Sequence, residues 1–340
     1  MLVLLQEAPV VVITGASAGV GRATARTFAR HGWNVALIAR GQERLGNAKR
    51  EIEAAGGNAL ALPADVADSG AIFAAADEVC ARWGKIDVWV NNAMATIFAP
   101  VDEIAPEEFK RVTEVTYLGQ VHGTLAALRH MRSRAQGAIV QVGSALSYRS
   151  IPLQSAYCAA KFAVRGFTDA LRSELEHEGS RIRLTMVQLP AVNTPQFDWA
   201  RSRLPRRLQP VPPIYQPEAI AGHIYEAARS SPRELWIGLP TWKAILGTMV
   251  LPGWLDRLMS KRAWSGQMTE EPARDMQSGN LMNVPAGDPG AHGRFDARSS
   301  SHVSALSGDA VRTFFAVAAL SLASILLGAA RRRLVNRSPD

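Results

Sequence analysis

The sequence predicts a doubly wound α/β sandwich built on about seven strands, and two observations predict it. From residue 9 to about 239, short β-branched apolar runs alternate with longer amphipathic stretches, the pattern of repeated βαβ units on a parallel sheet. Those runs are near-continuous in apolar character rather than alternating, so helices must cover both faces of the sheet.

The elements follow in order. Strands are expected at 10–14, 34–39, 59–62, 86–91, 138–142, 183–188 and 234–238, with helical spacing over 20–29, 71–81, 107–131 and 155–176. This places one nucleotide-fold domain over residues 8–240. The stretch 241–270, with Trp242, Leu251, Trp254, Leu255 and Met259, is moderately amphipathic. It suits a helix packed on its own domain better than a cleft cap or a membrane-lying helix. Residues 271–310 are rich in Gly, Pro, Ser, Ala and Asp without sustained period and read as a flexible linker. Within 311–333, residues 313–330 carry no charge and are closed by Arg331, Arg332 and Arg333. Eighteen residues give roughly 27 Å of helix, just short of the ~30 Å hydrocarbon core, so a marginal transmembrane or membrane-anchoring helix is expected.

Composition narrows the function classes. With 340 residues, 47% hydrophobic and 20% charged, the chain supports one large core plus an appendage. Lys and Arg total 38 against 30 Asp and Glu, a net +8 that suits polyanionic cofactors, acidic substrates or anionic lipid. No aromatic-interleaved basic stripe supports nucleic acid. Cys80 and Cys158 are too few for a disulfide framework or a cysteine zinc site, which makes a reducing, cytoplasm-facing compartment the default. The first residues lack a basic n-region, so no secretory signal is expected. His122 and His130 fall in one helical window but eight apart, without a carboxylate partner between, and no catalytic metal is expected.

Chemistry enters at the end of the first strand, Thr14-Gly15-Ala16-Ser17-Ala18-Gly19-Val20-Gly21. Glycines let backbone approach a pyrophosphate, and a helix N-terminus presents free N–H groups and its dipole to the charge. Further on, Tyr157 and Lys161 are four apart in a helical run, hence on one face, and Ser144 follows the apolar strand 138–142. A nearby ammonium lowers a phenol's pKa toward a useful range for acid–base work. A hydroxyl at the strand end would orient a carbonyl and stabilise oxyanion charge.

Together these residues resemble the short-chain dehydrogenase/reductases over roughly residues 8–240, a Rossmann-like family. The resemblance implies a Ser144, Tyr157, Lys161 catalytic group, with Lys161 also holding the nicotinamide ribose. Thr14, Gly15, Ser17, Gly19, Val20 and Gly21 resemble the family's cofactor turn and Asp65-Val66 its adenine contact. Asn91-Asn92-Ala93 resembles its central-strand motif, and Pro190, Val192 and Thr194 its nicotinamide-side loop. NAD-binding members usually carry an acidic residue after the second strand, where this chain has Arg40, a fork-shaped cation suited to a 2′-phosphate, so NADP(H) is expected.

Departures from the pattern are also visible. Thr116 stands where many members have Asn; its hydroxyl is expected to back-bond to its own helix while still able to hold a water. Met94 and Ala191 replace glycines. Arg201, Arg203, Arg206 and Arg207 lie in the region corresponding to the family's mobile substrate cover, and read as a solvated basic face ahead of a site for an acidic substrate or lipid headgroups. The expectation is therefore an NADP(H)-dependent oxidoreductase of a carbonyl or alcohol substrate, lipid-like in character, attached to a membrane with its catalytic domain facing the cytoplasm. Self-association is left open. An epimerase or dehydratase is disfavoured by the lack of a large substrate domain, and the alternative from another class is a nucleotide-binding regulatory or scaffold protein with little turnover.

Overall fold

A computed structural model of the chain describes residues 8–273 and 279–335. The elements in chain order are β1 (Val10–Thr14), α1 (Gly19–Arg30), β2 (Asn34–Ala39), α2 (Gln42–Ala54), β3 (Asn58–Pro63), α3 (Ser69–Trp83) and β4 (Val88–Asn91). Next come α4 (Pro106–Thr113), α5 (Gly119–Met131), β5 (Gly137–Val142), α6 (Ser155–His177), β6 (Ile182–Gln188), α7 (Pro217–Ser230) and β7 (Glu234–Ile237). The last are α8 (Leu239–Val250), α9 (Pro252–Gly266), β8 (Ala305–Ser307) and α10 (Gly308–Val335).

Eight strands form the main sheet in the order β8-β7-β6-β5-β4-β1-β2-β3, parallel except for β8, which runs antiparallel to β7. The order reverses between β1 and β4, the switch point beside which open α/β sheets bind ligands at their strand C-termini. The continuous apolar runs are explained by two cores. Val10 and Val12 enter one with residues of α3, α5 and α6, and Val11 and Ile13 enter the other with residues of α1 and α7. All four are fully buried, each side chain contributing about 1.5–3 kcal/mol.

The long helix expected over 107–131 is broken by a π-helical turn at Glu114–Leu118 between α4 and α5. Thr116 lies in that turn. Its hydroxyl donates to the Ala95 carbonyl at 2.8 Å and accepts the Ala95 N–H at 2.9 Å. The expected back-bond within its own helix is thus replaced by a clamp on the loop after β4.

Two further expectations are corrected. The domain does not end at 240, because β8 completes the sheet from residues far downstream. The linker expected over 271–310 is, across 279–310, packed against the domain. Leu281, Ala291 and Phe295 are buried, and Ser299–Ser300 extends a small parallel sheet with Ile214–Tyr215 and Ala191–Val192. Composition concealed this because the segment is held mainly through backbone carbonyls and a few anchors, which leave no periodic signature.

The 241–270 stretch packs on its own domain through Thr241, Ile245, Leu255 and Ala263 while exposing Met249, Val250, Leu251 and Trp254. Residues 313–330 are helical within α10, but the side chains of much of its distal part lie outside the described residues. Among the described residues, no helix is long and apolar enough to cross a membrane.

Candidate active site

The candidate residues cluster along the C-terminal edge of the sheet. The turn after β1 is fixed by tight backbone packing. Gly15 has φ +68°, and a Cβ on Gly21 would sit 2.2 Å from the Gly15 carbonyl oxygen. Helix α1 begins at Gly19 with no side-chain cap from Ala18 and no carboxylate in its first turn, a helix N-terminus suited to an anion, where the Gly19 N–H donates to the Gly290 carbonyl at 3.3 Å.

Several expected cofactor residues serve as scaffold. Thr14 Oγ1 accepts the N–H groups of Asn92 at 3.0 Å and Ala93 at 3.1 Å, and Asn92 Nδ2 donates to the Thr14 carbonyl at 3.0 Å. These bonds tie the glycine turn to the end of β4. Asn91 is fully buried. It accepts from Trp89 Nε1 at 2.8 Å and donates to Thr124 and Gln141 at 3.0 Å. Its side chain therefore belongs to a core network rather than to a groove surface. Val66 packs on α5, where a Cβ on Gly119 would meet it at 2.6 Å, while Asp65 pairs with Arg111. Thr194 closes over the turn, its Cγ2 3.1 Å from the Cβ position of Gly19. Val192 is buried beside β6, and Pro190 packs where a Cβ on Gly238 would sit 3.3 Å away.

Ser144, at the end of β5, caps the short helix that follows, its Oγ accepting from Leu146 N at 3.1 Å. The Gln188 side chain holds the Ser144 N–H at 2.8 Å. Tyr157 and Lys161 lie one turn apart on α6, and Lys161 Nζ is 5.6 Å from the Tyr157 ring centroid. Lys161 Nζ donates to the Val142 carbonyl at 2.7 Å, an oxygen that also accepts from Gln120 at 3.1 Å.

Burial governs the electrostatics here. It pushes the Tyr157 phenol well above its ordinary range, a hydrogen bond to Ser144 opposing the shift. It also lowers the Lys161 ammonium to about 7. The expectation that Lys161 sets a low phenol pKa is not met, because desolvation outweighs the attraction of an ammonium directed at Val142.

The lysine shift has a measurable consequence. Between about pH 7 and its ordinary 10.5, the unfolded chain holds a proton on Lys161 that the folded chain lacks. Stability therefore rises with pH across that window, and the full cost of burying the charge is felt below it. Thermal denaturation of the wild type minus that of Lys161→Met should show this slope. A flat difference from pH 7 to 10 would contradict the burial of a charged lysine.

On the β2 side, Arg40 is buried enough that desolvation lowers its pKa, with Arg111 and Arg44 nearby adding to the effect and Asp65 opposing it. Its guanidinium donates to the carbonyls of Asn280 at 2.5 Å, Met282 at 3.0 Å, and Leu281 and Asn283 at 3.4 Å. Sequence reasoning missed this contact, as it missed the segment that makes it. The basic loop is likewise paired. Arg201 and Arg203 contact buried Glu108, Arg206 contacts Glu270 at 2.5 Å, and Arg207 contacts Glu271 and Asp198. These four cations are engaged with carboxylates of the chain itself rather than forming a bare basic face. Among the described residues no group of His, Cys, Asp and Glu is placed to hold a metal.

Residues 9–204 match the short chain dehydrogenase family. The chain belongs to that family. Its members are oxidoreductases acting on CH–OH and C=O groups. It is 34% identical over 282 residues to the uncharacterized oxidoreductase YxnA of Bacillus subtilis, covering 82% of this chain and 79% of that one. Among solved structures, it resembles a metagenomic short-chain oxidoreductase in complex with NADP, with TM-score 0.55 and 29% identity over 65% of this chain and 90% of the other. It also resembles an alcohol dehydrogenase from Thermococcus sibiricus complexed with 5-hydroxy-NADP, with TM-score 0.58 and 29% identity over 68% and 96%.

Proposed function

We propose that this short-chain dehydrogenase is an NADP(H)-dependent reductase or dehydrogenase of a lipophilic carbonyl or alcohol, with Ser144, Tyr157 and Lys161 as its catalytic group. The observation that supports the reading is that Tyr157 is hydrogen-bonded to Ser144 and has Lys161 Nζ 5.6 Å from its ring, in a sheet whose strand order reverses next to the glycine turn. The donor set suits a dinucleotide: the backbone N–H groups of a helix N-terminus for a pyrophosphate, and Arg40 in place of a carboxylate after β2.

When bound, the nicotinamide supplies or takes the hydride. The chain's own residues do the rest. Ser144 Oγ holds the substrate oxygen and stabilises the charge that grows on it. Tyr157, kept neutral by burial, gives its phenolic proton to that oxygen in reduction and takes one back in oxidation. Lys161, held by Val142 O, is positioned one helical turn from Tyr157 to receive the ribose hydroxyls and replace the proton.

A panel of aldehydes and ketones followed at the nicotinamide absorbance tests the activity. NADPH is expected to bind at least ~10-fold more tightly than NADH, about 1.4 kcal/mol from the 2′-phosphate. Arg40→Ala should erase most of that preference. Equal affinities in the unaltered protein would remove Arg40 from the cofactor site.

The lipophilic substrate rests on membrane attachment through residues 313–330. Support comes from the exposed Phe314, Phe315, Val317 and Leu320 of α10, and from exposed Met249, Val250, Leu251 and Trp254 where α8 meets α9. Met249 lines the same cavity as Asp309 and Arg312, which makes the two apolar surfaces neighbours. Arg312 bonds the buried Glu234, so a truncation should keep it. Fractionation of the full chain beside one ending at Arg312 is expected to leave only the shorter form in the detergent-free soluble fraction. Equal solubility would reject the anchor and the lipophilic substrate with it.

A further inference from the structure

Residues 279–296 run along the groove where the dinucleotide would lie, and they use its donors. The Gly19 N–H, on the turn after β1, donates to the Gly290 carbonyl at 3.3 Å. Arg40, placed for a 2′-phosphate, is spent on the carbonyls of 280–283. Arg44 Nε donates to the Gly287 carbonyl at 2.6 Å and its Nη2 to those of Pro285 and Ala286. Leu281 is fully buried in the apolar cluster that contains Val66, and its carbonyl accepts Arg111 Nε at 3.2 Å while Arg111 pairs with Asp65. Leu281 is thus lodged beside the Asp65-Val66 pair.

The segment is anchored at its middle and at its far end. Asp288 forms a two-pronged pair with buried Arg22 and accepts from Asn47 at 2.6 Å. Farther along, Asn193 accepts the Phe295 N–H at 3.1 Å and donates to Asp296 at 2.8 Å.

We propose that residues 279–290 form a strap that competes with the cofactor for its groove and must be displaced before either coenzyme binds. The proposal rests on the NADP(H) reading above and adds a cost that lowers the apparent affinity of either coenzyme. Two arginines, Arg40 and Arg44, meet the strap through neutral carbonyls. A phosphate offers the same donors charge-assisted bonds roughly twice as strong as those to neutral acceptors. A dinucleotide without that phosphate must lift Leu281 and break the same carbonyl contacts, so the cost of opening the strap is common to both coenzymes. While the strap is down, apparent affinity is reduced by the fraction of molecules with an open groove.

The experiment uses the full-length protein and two strap variants, Asp288→Ala and Leu281→Ser, neither in the catalytic group. Titration with NADPH and with NADH is paired with amide hydrogen exchange across 279–290. Each variant is expected to bind both coenzymes more tightly, Asp288→Ala by ~10-fold for the loss of a charge-assisted anchor. NADH should gain by the same factor, because both coenzymes bind only the open groove, so the preference should stay at its wild-type ratio. Exchange in 279–290 of the wild type should speed up on adding NADPH. Weaker coenzyme binding in both variants, or slower exchange with NADPH bound, would make the segment a clamp and overturn the proposal. Failure is separable from failure of the cofactor reading: if neither the wild type nor either variant binds NADPH, the cofactor assignment falls and the competing strap falls with it. Binding that appears only in the variants supports both.

Discussion

Tyr157→Phe is expected to lower turnover by ~10² or more while leaving NADPH affinity within a few-fold of the wild type. The substitution keeps the ring and its packing in α6 and removes only the phenolic oxygen. That oxygen sits in a buried site where its ionised form is strongly disfavoured and where Ser144 is its hydrogen-bond partner. Loss of one such bond costs about 1 kcal/mol of stability, so the folded protein should persist and the deficit should lie in proton delivery. Because burial holds the phenol neutral, the wild type should reduce carbonyls readily near neutral pH, and its alcohol oxidation should strengthen as pH rises. Steady-state rates over pH, with coenzyme titrations of both proteins, check the pair of statements. A variant with near-wild-type turnover would remove Tyr157 from the reaction.

Lys161→Ala should cost ~10² in turnover and at least ~10-fold in NADPH affinity together, because one ammonium is asked to perform two tasks. The side chain is 1% exposed, and its ammonium is tied to the Val142 carbonyl. A lysine so buried, with no carboxylate partner at its Nζ among the described residues and a pKa brought down to about 7, is costly to retain for stability alone. The alanine variant removes that cost, so its folding should be unimpaired or improved at neutral pH even as catalysis fails. Loss of rate with unchanged NADPH affinity would leave the proton-relay role and remove the ribose role. A stability loss of several kcal/mol would instead make Lys161 a packing residue.

The doubly wound sheet was legible because its strands are apolar on both faces, a pattern that the fully buried run from Val10 to Ile13 satisfies directly. The glycine turn and the Tyr157–Lys161 spacing were legible as structure because both are local: a strand-turn-helix junction and one turn of helix. What was illegible is non-local. Asn91 has the same place in the sequence motif whether it faces the groove or the core, and only the approach of Thr124 and Gln141 decides it. Thr116 was expected to bond its own helix, yet a π-helical turn directs its hydroxyl to Ala95. The segment from 279 to 310 looked like a linker because Gly, Pro and Ser dominate it. Its docking depends on backbone carbonyls that meet arginines more than two hundred residues away, Arg40 and Arg44. No composition window records such a contact.

The central claim is hydride transfer from NADPH by the Ser144, Tyr157, Lys161 group, and isotope transfer tests it most directly. NADPH carrying deuterium at the transferable nicotinamide position is incubated with the full-length protein and a panel of lipophilic aldehydes and ketones. Mass spectrometry then reads deuterium in the alcohol products. The expected result is deuterated alcohol from at least one carbonyl with the wild type, reduced ~10² or more by Tyr157→Phe under conditions where both proteins bind NADPH. Binding of NADPH with no deuterium in any product, or equal transfer by the wild type and Tyr157→Phe, would contradict it.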